Sequence, residues 1–230
     1  MILAVMQPYL FPYIGYYQLA YHSDMFIFYD DVNYIKGGYI NRNNILTKNG
    51  KQLFTVPINH ASSFKKINEL EFSSNVKKTL ATIQQAYSKA PNFNNVYPII
   101  ENILISNNRN VAKMASNSII DIFKYLDIPF MYEYSSNIDY NHELDAKNKL
   151  YNFCKLYGAN KYTNTPGGKA LYNKDEFKDK GIELSFIETN NISYKQFNND
   201  NFEKNLSIID LLMNLKKENI IELLGDYNVN

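Results

Sequence analysis

Tryptophan is absent from the 230 residues, and cysteine occurs once, at Cys154. A lone cysteine excludes an intramolecular disulfide, and its use fits a reducing, cytoplasmic setting. An excess of one charge is also missing: 24 Lys and Arg stand against 23 Asp and Glu, a net charge of +1. A dedicated nucleic-acid binder carries a clustered basic face and a domain pI above roughly 9, against about 7.7 here. Nucleic acid is therefore not expected as a partner. No run approaches the roughly 20 apolar residues that span a bilayer. Met1–Val5 is apolar, but it has no basic flank, and Pro8 and Pro12 interrupt it early. It is not read as a secretory signal.

Recurring catalytic patterns are missing too. His22, His60 and His142 are dispersed, with no H-x-x-x-H or C-x-x-C partner, so no zinc site is expected and each histidine is read as a surface or helix-end residue. There is no G-x-S-x-G nucleophile elbow. Cys154 shares an apolar helix face with Leu150 and Phe153, which reads as a buried structural thiol.

What is present is an alternation of strand and helix patterns. Residues 1–6 form a short apolar strand ended by Gln7-Pro8. A turn with Pro12 and Gly15 leads into a helix, and Met25–Tyr29 is a second strand closing on Asp30-Asp31. So short a connection predicts parallel neighbours joined through the helix. Asn49-Gly50 marks a hairpin whose returning strand is Leu53–Ile58. Apolar residues at three- and four-residue spacing predict helices over 73–90 and 96–126, broken at Pro91 and Asn108. A strand over 129–134, a helix from Glu143 to Tyr157 closed by Gly158, a strand over 160–163 and one over 182–187 follow. Ser207–Asp210 has the pattern of a capping box opening the final helix. Asparagine-rich runs such as 197–201 are local. The expectation is an α/β fold: a Rossmann-like, mostly parallel sheet flanked by helices in a single domain over 1–230, with 73–126 as a helical subdomain.

Function is expected at the first turn. A helix N-terminus at the C-terminal edge of a parallel sheet presents free N–H groups and partial positive charge to an anion, and open α/β sheets bind ligands there. Gln7, Pro8, Tyr9, Tyr13, Gly15 and Tyr16 line this turn, with Gly15 either admitting a ligand closely or only allowing tight packing. Asp30 and Asp31 end a strand at the same edge, and Lys36, Asn41, Arg42 and Asn43 follow in a glycine-containing loop. Arg42 can clamp a phosphate or carboxylate with two parallel hydrogen bonds, while Lys36 acts as a point charge. Such a set suits a sugar-linked diphosphate, or a metal on the aspartates. The bland reading of Asp30 and Arg42 is a surface ion pair. Lys169, in Pro166-Gly167-Gly168-Lys169, is a further phosphate candidate, although the P-loop spacing is absent.

The strand–turn–helix–strand opening resembles the HxGH turn of the nucleotidylyltransferase and pantothenate synthetase superfamily, with Tyr13 and Tyr16 where that motif has histidines. A closer resemblance is to the WbqC-like family of bacterial polysaccharide gene clusters. It is carried by Met6-Gln7-Pro8-Tyr9, Phe11-Pro12-Tyr13, Gly15-Tyr16, Gln18-Leu19, Tyr29-Asp30-Asp31-Val32, Ile35-Lys36 and Ile40-Asn41-Arg42-Asn43. Later blocks are Tyr87–Pro91 and Leu206–Asp210. Tyr39 and Leu215 stand where the family pattern has Trp and Gly. The resemblance implies a role in building O-antigen or a related glycan. The expected partner is a nucleotide-linked amino sugar, with acyl or aminoacyl transfer to its amine, ATP or an acyl donor as co-substrate, Asp30 and Arg42 as catalytic residues, and pairing of two copies left open. The other reading is a module that binds a nucleotide-linked sugar or a partner transferase without turnover.

Overall fold

The computed structural model describes residues 1–197 and 201–230; part of the asparagine-rich run at 197–201 lies outside them. The strands are β1 (Ile2–Met6), β2 (Met25–Phe28), β3 (Arg42–Thr47), β4 (Gly50–Thr55), β5 (Ile58–Asn59), β6 (Glu71–Phe72), β7 (Tyr132–Tyr134), β8 (Lys161–Asn164), β9 (Glu183–Thr189) and β10 (Tyr227–Val229). The helices are α1 (Ile14–His22), α2 (Lys77–Tyr87), α3 (Phe93–Ile105), α4 (Val111–Tyr125), α5 (Ala146–Tyr157), α6 (Lys174–Lys178), α7 (Ile208–Asn214) and α8 (Lys217–Leu224).

Six strands form the central sheet in the order β10-β9-β8-β1-β2-β7. All neighbours are parallel except β10, which runs antiparallel to β9. The chain begins in the middle at β1, moves outward through β2 to β7, then returns to β8 and moves outward the other way. That is the order of doubly wound α/β sheets, and its reversal falls between β1 and β8.

The sheet is covered on both faces, and the two-residue period of a strand divides its residues between them. Ala4, Phe26, Phe28 and Ile187 enter one core with α1, α2, α3, α4, α7 and α8. Leu3, Val5, Ile27, Tyr162 and Leu184 enter another, with Leu150, Phe153 and Cys154 of α5 and Phe177 of α6. The hairpin β3–β4 turns at Asn49-Gly50, where Gly50 has φ +91°, a backbone region open to glycine.

Local chemistry sets the helix limits. Asn110 caps α4 by accepting from Lys113 N, and Asp145 caps α5 by accepting from Asn148 N. The second cap moves the start of α5 three residues past Glu143, to Ala146, where the first N–H groups come within reach of Asp145. Gly158 ends α5 at φ 64°, the left-handed terminus that glycine takes without strain. Ser207 caps α7 through Ile209 N, but α7 is followed by α8 and the capping box is not closed. The Asp210 carboxylate instead accepts from Tyr87, Tyr194 and Gln196.

Candidate functional site

The C-terminal ends of the five parallel strands share one edge, and five loops leave from it. At the reversal point, β1 leads into Gln7-Pro8-Tyr9 and β8 leads into Thr165–Lys169. The β8 loop is built locally: Asn164 Oδ1 accepts from Thr165 N at 2.7 Å, and Pro166–Ala170 is a 3-10 turn. Lys169 Nζ is exposed, 3.6 Å from Glu188 of β9. Lys169 and the first turn therefore follow neighbouring strands at the reversal point.

The turn between β1 and α1 is held from far away. Phe11 has φ 46°, a strained value for a non-glycine residue. Ser118 of α4 accepts from Phe11 N at 2.8 Å, while Asn43 and Ser207 donate to Phe11 O at 2.9 and 2.7 Å. Three elements thus satisfy a backbone conformation that the local sequence would not choose, the kind of strain that persists only when the surroundings over-determine it. Tyr16 is buried and donates to Gln7 O at 2.8 Å, so its hydroxyl braces the turn from below. Tyr13 is 38% exposed at the rim. A Cβ on Gly15 would lie 2.5 Å from the Tyr13 ring and 2.9 Å from Thr189 Oγ1, so this glycine lets α1 press against the end of β9. Beside it lies a cleft of about 240 Å³ lined by Tyr13, Ile14, Thr189, Tyr194, Lys204 and Leu206, among others. Burial raises the phenol pKa of Tyr9, Tyr13 and Tyr16, so all three present neutral hydroxyls.

At the end of β2 two carboxylates are buried together: Asp30 is 1% and Asp31 8% exposed. Asp30 accepts from Ser136 N at 2.9 Å and Ser136 Oγ at 2.7 Å. Ser135 Oγ reaches both acids, but a hydroxyl has one hydrogen to give. Tyr140 donates to Asp31 Oδ2 at 2.6 Å. Its phenol is held well above the usual range, by burial first and then by the Asp31 carboxylate. His142 Nδ1 stands 3.4 Å from the same oxygen. Nearby, the Lys113 ammonium lies 3.2 Å above the Tyr134 ring at the end of β7.

The loop after β2 is tied to this edge by backbone pairs, Leu10 N to Ile40 O and Asn68 N to Asp30 O. Asn41 accepts from Tyr34 at 3.0 Å and donates to Val56 O at 2.9 Å. Arg42 donates from Nε to Gly38 O at 3.0 Å and from a terminal nitrogen to Gly37 O. Its guanidinium thus closes its own loop and forms no ion pair with Asp30. Lys36 is exposed on that loop.

The structure gathers Gln7, Pro8, Tyr9, Tyr13, Gly15, Asp30 and Lys169 along one sheet edge. It gives Tyr16, Asn41 and Asn43 internal partners, and Arg42 loop carbonyls. Sequence reasoning named Asp31 only beside Asp30 as part of a charged or metal-holding set, read His142 as a surface or helix-end residue, and passed over Ser135, Ser136, Tyr140 and Lys113. Their signal was faint: Ser135-Ser136 ends a strand, yet only the pairing of β2 with β7 brings it to Asp30. Among the described residues no group of three or more His, Cys, Asp or Glu could hold a metal ion, and no helix is long and apolar enough to cross a membrane. Burial pushes the Cys154 thiol up to about 12, a core group rather than a nucleophile.

Comparison with known proteins adds family information. Residues 7–222 match the model of the WbqC-like protein family. An uncharacterized protein of Mycobacterium tuberculosis, Rv1507c, is 27% identical over 220 residues, covering 94% of each chain. No solved structure matches.

Proposed function

The chain belongs to the WbqC-like protein family, and from that premise we propose that it is an enzyme of bacterial surface-polysaccharide biosynthesis that transfers an acyl or aminoacyl group to the amine of a nucleotide-linked sugar. One observation carries the reading: the strand order reverses between β1 and β8, and the loops that part there hold Gln7, Tyr9 and Lys169. Ligands of open α/β sheets bind at that reversal. Lys169 and Lys36 supply positive charge for a diphosphate. Tyr9 and Tyr13 supply aromatic faces with neutral hydroxyls for a sugar or base. The buried Asp30–Asp31 pair supplies negative charge that draws an amine to the edge. Arg42 serves this site by holding the Gly37-Gly38 loop in place.

The test is a melting screen against nucleotides and nucleotide-linked sugars, followed by mass spectrometry with amino sugars, ATP and acyl or aminoacyl donors. A ligand at 100 times its Kd should stabilise the fold by about 2.7 kcal/mol. Lys169→Ala should weaken that ligand about tenfold through the loss of one charge contact, near 1.4 kcal/mol. No melting shift from any nucleotide-linked sugar overturns the reading.

One observation favours a binding-only module: Tyr16, Asn41, Asn43 and Arg42 engage the chain itself. Calorimetry that shows nucleotide-sugar binding with no mass change in any mixture would select it.

A further inference from the structure

His142 is the one basic side chain within 4 Å of the buried acid pair among the described residues. It lies on the connection between β7 and α5. Its side chain is 52% exposed, while that of Asp31 is 3% exposed. The imidazole ring also lies against Tyr140, with centroids 4.2 Å apart, and Tyr140 donates to the same Asp31 oxygen at 2.6 Å. One ring nitrogen therefore points at a buried carboxylate and one ring face is fixed by an aromatic. Nε2, across the ring from Asp31, is left to the open side. The Nδ1 to Oδ2 distance of 3.4 Å exceeds that of a formed hydrogen bond, as is common before a ligand closes a site.

We propose that His142 is a general base at this edge and that Asp31 is the residue that positions it. Asp31 keeps the imidazole proton on Nδ1, so Nε2 presents its lone pair to a protic group of the ligand. The acceptor class, an amino sugar, rests on the function proposed above. In that setting the amine lone pair forms the bond to the acyl carbon. Its N–H proton passes to Nε2, and the bond from the acyl carbon to the donor's leaving group breaks. The imidazolium, balanced by Asp31, then returns the proton to the departing group. The charged and titratable groups around the ring and its carboxylate are Asp31, Asp30 and Tyr29 from the end of β2, Tyr140 from its own connection, and Lys149 of α5. The Lys149 ammonium stands 5.9 Å over the Tyr140 ring.

The test starts with the ligand-free full chain. Nitrogen-15 spectra of its three imidazoles report which ring nitrogen holds the proton, with His142→Gln assigning the signal. In the neutral form His142 should be protonated at Nδ1, while exposed His60 shows the commoner Nε2–H form. Asp31→Asn should abolish the Nδ1–H preference. A wild-type His142 that matches His60 overturns the proposal without any variant. Second, with a nucleotide-linked amino sugar and an acyl donor, His142→Gln should lower kcat about 100-fold or more, with the melting shift from the sugar retained. Free imidazole should restore turnover to His142→Ala. Undiminished turnover in His142→Gln overturns the general base while the proposed function stands. Nδ1–H preference in a protein that no nucleotide-linked sugar stabilises supports the imidazole assignment and overturns the proposed function instead.

Discussion

Asp210 is fully buried, and its hydrogen bonds come from three neutral groups: Tyr87 at 2.8 Å, Tyr194 at 2.6 Å and Gln196 at 3.0 Å. Burial raises its carboxyl pKa, and the hydrogen bonds offset this only in part. A carboxyl with a raised folded pKa binds more protons folded than unfolded. Its contribution is present below the unfolded value and is lost as pH rises through the folded one. The unfolding free energy from urea titrations should therefore fall for the wild type, relative to Asp210→Asn, as pH rises from about 4 to neutrality, by about 1.4 kcal/mol for each unit of raised pKa. Parallel curves for the two proteins would refute it. The same residue shows how much was legible locally. Tyr87 and Asp210 each belong to a block that resembles the family pattern, yet 123 positions separate them. Neither block names the other as its partner.

At the scale of an element, α1 shows two effects in competition. Alanine in place of a helical glycine ordinarily stabilises by about 1 kcal/mol. At Gly15 the new Cβ would meet the Tyr13 ring at 2.5 Å and Thr189 Oγ1 at 2.9 Å. The exposed Tyr13 ring can swing aside. Thr189 is less free, because it donates to Gln18 Oε1 at 2.6 Å, and Gln18 in turn holds the carbonyls of Leu223 and Asp226. Overpacking of this kind costs about 1–3 kcal/mol. Gly15→Ala should therefore be destabilising by about 1 kcal/mol net. Chemical denaturation checks this, and a stabilised variant would mean that the end of β9 yields freely. Element identities were readable here because Pro12, Gly15 and the apolar runs are local signals. The role of Gly15 as a seat for β9 was not, because β9 lies some 170 positions along the chain.

Across the whole molecule, α2, α3 and α4 place Ile83, Tyr87, Val96, Ile100, Ile119 and Phe123 in the same core as Ala4, Phe26 and Phe28 of the sheet. A helical subdomain over 73–126 with independent stability would need its own core. The shared core leads us to expect one cooperative transition for the chain. Far-ultraviolet and near-ultraviolet circular dichroism should trace coincident unfolding curves, the latter reporting the packed tyrosines. Two separated transitions would instead identify residues 73–126 as an independent unit.

The sequence by itself determined the α/β class, the parallel β1–α1–β2 unit, the Asn-Gly hairpin and the glycine end of α5. Each follows from residue period, backbone restriction or cap chemistry acting over a few positions. Only the tertiary structure decided which distant groups complete them. The strained Phe11 is satisfied by Ser118, Asn43 and Ser207, the Asp30–Asp31 pair by Ser135, Ser136 and Tyr140, and His142 is delivered to Asp31 by the connection that follows β7. Hydrogen bonding at a buried group requires a partner within about 3 Å but sets no limit on separation along the chain. The strand order that brings those partners to one edge is fixed by burying both faces of the sheet at once, a property of the folded chain as a whole.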